Sequence, residues 1–146
     1  MLRIVRALDT ALNNTSVILL FRAGGKSLLF PGDAQIENWE YALDQPEVVE
    51  KLKAVDLYKV GHHGSLNATP RTLWSYFEHR STKKTDPERL ISMMSTMLGK
   101  HGDEDSNTEV PREKLTTALR RNSTHLTTQS LSPDQLFNEV VLDLGG

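Results

Sequence analysis

The stretch Lys59-Val60-Gly61-His62-His63-Gly64-Ser65 sets two adjacent imidazoles between glycines, at the end of the apolar run Ala54-Val55-Asp56-Leu57-Tyr58-Lys59-Val60. Upstream, Gly32-Asp33 follows the run Ser27-Leu28-Leu29-Phe30-Pro31. A carboxylate and an imidazole leaving neighbouring strands are donors suited to a divalent metal such as zinc or manganese. In layered α/β proteins, ligands gather where strands end, because loops there join side chains far apart in sequence. Gly32 and Gly64 let the backbone approach an ion or substrate closely. Ser65 can orient a histidine or bind an oxyanion. Asp33, His62 and His63 are therefore the candidate catalytic residues. The plainer alternative is a pair of polar turns, with Asp33 bonding its own backbone.

The elements that must position these groups are legible. Ser16–Phe30 holds two β-rich runs around Ala23-Gly24-Gly25-Lys26, a hairpin whose glycines supply the positive φ of a tight turn. Residues 36–54 read as helix, with Trp39, Leu43, Val48 and Leu52 on one face and a break near Pro46. Residues 55–60 read as strand. A helix follows over 69–79, with Thr69 as its cap, Pro70 in its first turn and an apolar stripe at Leu73, Trp74 and Phe77. Residues 89–96 read as strand, 99–109 as a polar surface loop, 111–121 as helix, and 124–131 and 138–144 as strands. The order β-β-α-β-α-β-α-β-β points to a layered α/β fold.

The chain has 146 residues, 38% hydrophobic and 25% charged, as expected of one ordinary globular domain. A formal net charge of −2 indicates no nucleic-acid footprint, although a local basic patch can sit within a neutral total. With no cysteine, disulfides, thiolate zinc sites and cysteine nucleophiles are excluded. No apolar run reaches the ~20 residues of a membrane span. The first ten residues lack the apolar core of a signal peptide, so the expected location is cytoplasmic.

The pattern Asn14-Thr15-Ser16 before an apolar strand, a hairpin, Gly32-Asp33, a helix, then a strand ending in His62-His63-Gly64-Ser65 resembles the second half of a metallo-β-lactamase-fold hydrolase. The closest flavour is that of the competence-type DNA-uptake (ComEC-like) proteins and their stand-alone relatives. Order and spacing match from Asn14 to Ser65, and residues 90–119 match more loosely. The resemblance implies an α/β chain forming part of an αββα sandwich, with residues 1–146 as one partial domain. It implies Asp33 as a carboxylate bridging two metals. The fold's last histidine ligand is then one of the pair, His62 for preference, with His63 lining the pocket or supporting the ligand. Two metals ~3.5–4 Å apart lower the pKa of a bridging water and clamp a phosphate or ester oxygen. The implied activity is metal-dependent hydrolysis of a phosphodiester or another ester, on a small molecule or a phosphodiester substrate.

One departure bears on all of this. The family's main motif, His-x-His-x-Asp-His, lies in the first half of the fold, and no histidine precedes His62 here. The resemblance therefore implies a fragment, either the C-terminal half of a longer protein or a start codon placed late. Such a chain binds zinc or manganese weakly, hydrolyses little alone, and exposes an apolar sheet face that favours self-association. The alternatives are a non-catalytic interaction or regulatory domain, and one half of a split enzyme. His101, in Gly99-Lys100-His101-Gly102, stands where the relatives carry Gly-His-Pro near the pocket mouth, but here an acidic run, Asp103-Glu104-Asp105, follows. Ser65, Lys100 and His101 are the candidate substrate contacts. His79 and His125 read as structural or solvent-exposed.

Overall fold

The computed structural model of the protein describes residues 15–97, 100, 102 and 109–144. The two apolar runs around Gly24-Gly25 close as a hairpin, β1 (Leu19–Ala23) antiparallel to β2 (Lys26–Phe30). The chain then crosses as α1 (Ile36–Leu43) and α2 (Pro46–Lys53). These divide where expected, because Pro46 lacks an amide hydrogen and starts a new helix after the extended Gln45. β3 (Leu57–Lys59), α3 (Arg71–Tyr76), β4 (Ile91–Met94), α4 (Glu113–Asn122) and β5 (Thr124–Thr127) follow. The five strands form one sheet in the order β1-β2-β3-β4-β5, parallel from β2 onward. Each parallel step needs a crossover, and the helices supply it. The fold is α/β, a mixed sheet flanked by helices.

Cross-strand register sorts the side chains into two faces. Leu20, Leu29, Tyr58, Ser92 and His125 lie on one rung and share a face. The core is built there: Leu29 and Tyr58 pack with Trp39, Leu52, Leu73, Leu115 and Leu119 from the four helices, and with Phe77 just beyond the third. The opposite face carries Leu19, Phe21, Leu28, Phe30, Leu57, Lys59, Ile91, Met93 and Leu126, and among the described residues no helix contributes to the core cluster from this side; in that sense it is the helix-free face. At its β1 side Leu19 and Phe21 are 45% and 54% exposed.

Three expectations need correction. Residues 138–144 form no strand. They keep a strand's alternation, with Asn138, Val140 and Leu142 half-buried. They run from β5, where Asn138 Nδ2 donates to Thr127 O, to the hairpin turn, where Gly25 N donates to Leu144 O at 3.1 Å. Apolar positions that would have paired at a sheet edge are spent on the sheet's surface instead. Thr69 does not cap α3, because its hydroxyl is buried 2.8 Å from Tyr58 Oη and the helix begins after Pro70. β5 stops at Thr127, whose own hydroxyl accepts from Gln129 N and starts a tight 3-10 turn. Most of the expected 99–109 loop lies outside the described residues.

Two polar clusters tie the strand starts. Asp56 is buried and accepts from Ser27 N at 2.8 Å and Lys26 Nζ at 3.0 Å. His79 Nδ1 lies 3.3 Å from the same carboxylate without hydrogen-bond alignment, which gives this histidine a structural place. On β4 and β5, Ser92 Oγ stands 2.8 Å from His125 Nδ1 and 2.7 Å from Ser123 Oγ. The Ser123 hydrogen goes to Leu119 O, so Ser92 donates to Ser123 and His125 Nδ1–H donates to Ser92.

This leaves His125 Nε2 bare and buried. Burial, with the Arg120 charge adding to it, pushes the His125 imidazole down to about 4. The folded chain thus refuses a proton that the unfolded chain takes up below about 6.5. Stability from the neutral ring is complete above that value and falls as pH drops toward 4. Solvent reaches part of the ring and screens the effect, leaving on the order of 1–2 kcal/mol. In urea titrations His125→Asn, which keeps a donor for Ser92, should show a shallower loss of stability from pH 7 to 4.5. Parallel slopes in the two proteins would exclude a buried neutral His125.

Candidate functional site

The exits of β2 and β3 meet. Pro31-Gly32-Asp33-Ala34 is a turn closed by Ala34 N donating to Pro31 O at 3.1 Å. It holds Asp33 at the surface directly beyond β2. β3 is parallel to β2 and leaves the sheet at the same end, so Gly61, His62 and His63 arrive beside that turn. The approach is close enough that a Cβ on Gly61 would lie 2.7 Å from Gly32 O. Asp33, His62 and His63 line one cavity of about 320 Å³, together with Phe30, Lys59 and Ser95.

The backbone of the pair is unusual. His62 and His63 have φ of 39° and 53°, both in the left-handed region, where a non-glycine residue sits at a cost of about 1–3 kcal/mol. The tight turn His62–Gly64 imposes this: Gly64 N donates to Gly61 O and Ser65 N donates to His62 O, each at 3.0 Å. It turns the two rings apart, with centroids 6.1 Å distant and planes at 50°. His62 Nδ1 is buried and has no hydrogen-bond partner. An imidazole lining a cavity shared with a carboxylate is the kind of group that a metal site or a proton transfer uses.

Lys59 was not anticipated. Its signal in the sequence is a lone cation in an otherwise apolar strand, and register puts it on the helix-free face beside Met93. Burial pushes the Lys59 ammonium down and the Asp33 carboxylate pulls it back up. Lys59 and Ser95 also line a smaller hollow with Met93, Leu126 and Phe137.

The remaining candidates fall elsewhere. Ser65 Oγ accepts from Ala68 N at 3.2 Å and does not line the cavity with the histidines, so its visible part is to shape the loop. Lys100 is exposed, its amide donating to Met97 O at 3.4 Å. His101 lies outside the described residues. Among the described residues no group of three His, Asp or Glu side chains could hold a metal ion, and no helix is long and apolar enough to cross a membrane.

No protein-family model, no curated protein and no solved structure matches the chain.

Proposed function

We propose that this chain carries one half of a metal-dependent hydrolase site of the metallo-β-lactamase type, acting on a phosphodiester or another ester. The observation that carries the reading is the meeting of Asp33 with the strained His62-His63 pair in one cavity, where His62 Nδ1 is bare and buried. The donor set fits a divalent metal in kind, an oxygen and a borderline nitrogen, and zinc or manganese is the expected ion. It does not fit in number. A catalytic zinc takes about three protein ligands, and the described residues bring together fewer. The missing ligands are assigned to a second polypeptide segment seated beside the cavity, next to Phe30 and Lys59. A bound metal would supply water of lowered pKa and an electrophilic clamp. This chain's part is to hold the carboxylate and imidazole and to place the Lys59 cation where negative charge develops.

Zinc titration of the purified chain, followed by metal analysis, tests the reading. Weak binding is expected, reduced about tenfold or more by Asp33→Ala and by His62→Ala, and less by His63→Ala. Hydrolysis of bis(p-nitrophenyl) phosphate by the chain alone should be slight. Zinc binding that is absent, or indifferent to Asp33 and His62, would remove the metal reading.

A second reading, a non-catalytic interaction domain, is favoured by the exposed apolar side chains Leu19 and Phe21 at the β1 side of the helix-free face. It gains if the chain forms a stable complex while Asp33→Ala and His62→Ala change nothing.

A further inference from the structure

A larger cleft of about 910 Å³ adjoins the candidate site and shares His63 and Ser95 with it. It lies between the ends of β4 and β5 and the exposed side of α4, walled by Thr96, Glu113, Thr116, Arg120, Thr128 and Gln129. Its volume is that of a small-molecule pocket. Its polar groups are not all internally satisfied. Thr128 Oγ1 is committed, accepting from Thr96 N at 2.9 Å and donating to Thr96 O at 2.7 Å, and Thr116 Oγ1 donates to Glu113 O. Thr96 Oγ1 is different: the residue is only 9% exposed and this hydroxyl has no partner. A buried hydroxyl without a partner costs free energy unless something meets it. Arg120 makes no ion pair with a carboxylate among the described residues.

The charges argue against a polyanion. Arg120 and Glu113 are the only charged side chains on the described wall apart from the titratable His63. A nucleic-acid strand needs a row of cations along its backbone. One cation next to hydrogen-bonding groups suits one acidic group on a small polar molecule.

We propose that this cleft binds the non-reacting part of a small, hydroxyl-rich molecule with a single acidic group, of the sugar-phosphate class. The acidic group pairs with Arg120, a hydroxyl meets Thr96 Oγ1, and the remainder extends past His63 toward Asp33. The proposal deepens the hydrolase reading and rests on it for the reacting end, but its binding step needs no metal.

The test is calorimetric titration of the full chain with ribose 5-phosphate in EDTA at physiological salt. An absent metal centre therefore leaves the result unaffected. Saturable binding is expected, weakened about tenfold or more by Arg120→Gln. Thr96→Val should weaken it severalfold while melting at the same or a higher temperature, because the variant removes a buried hydroxyl that the free chain leaves unpaired. No binding by the folded wild type would overturn the proposal, as would undiminished binding in both variants. Tighter binding of a short single-stranded oligodeoxynucleotide under the same conditions would transfer the cleft to nucleic acid and also overturn it.

Discussion

Trp39→Ala should be the most destabilising single truncation in the chain, costing about 3–5 kcal/mol, a large share of the roughly 5–15 kcal/mol that holds a domain folded. The indole is fully buried at the centre of the core, between α1 and the covered face of the sheet. Its Nε1 donates to Ala68 O at 2.9 Å, and Tyr58 Oη approaches the same carbonyl at 3.4 Å. Ala68 belongs to the loop that leaves the histidine turn. The core thus grips the chain three residues beyond Ser65. Trp39→Phe separates the two contributions, because it keeps most of the packing and loses the hydrogen bond. About 1–2 kcal/mol is expected for that loss. Equilibrium urea unfolding reads both variants, and an alanine variant within about 1 kcal/mol of wild type would contradict a filled, rigid core here.

The second large effect belongs to Gly64. Its φ is +86°, and a Cβ built there would lie 2.8 Å from both Met94 Sδ and Pro111 Cβ. Its carbonyl also accepts from Arg112 N at 3.1 Å, which ties the histidine turn to the start of α4. Gly64→Ala therefore meets conformational strain and overpacking together, about 2–4 kcal/mol. The sulfur end of Met94 can move, but the proline ring cannot move far without dragging α4. Gly25→Ala is the control, since nothing lies within 4 Å of its Cβ position and its φ is unremarkable. That variant should be neutral or slightly stabilising. If the metal reading holds, Gly64→Ala should also weaken zinc binding in whatever fraction remains folded. Equal stability of the two alanine variants would mean that the turn accommodates a side chain that its geometry excludes.

How much of this could be read beforehand depended on the range of the interactions. The hairpin around Gly24-Gly25, the helix break at Pro46 and the meeting of the β2 and β3 exits follow from local signals: turn glycines, a proline and apolar runs of strand length. The Asp33 and His62-His63 cavity was legible for that reason. What was missed depends on partners distant in sequence. Thr69 has every attribute of a cap, yet Tyr58 claims its hydroxyl from across the core. Residues 138–144 alternate like a strand, but the face available to them decides against an edge position. The cleft of Thr96, Arg120 and Gln129 collects residues from the segment after β4, from α4 and from the turn after β5, and their spacing carries no signature at all.

The strand order has a consequence for how the chain is made. Spatial neighbours in the sheet are also neighbours in sequence, from β1 through β5. The sheet can therefore grow outward during translation, each new strand docking on the one made just before it, with no slot to be held open for a later arrival. Loop-closure entropy is met in short instalments rather than in one long-range step. The growing edge is exposed only until the next crossover leaves the ribosome. The histidine turn acquires its full support last, because the contacts that hold Gly64 come from Met94 and from Pro111 at the threshold of α4. A nascent chain halted before residue 111 should already hold the hairpin and β3, while its imidazoles lack the geometry they have in the finished protein.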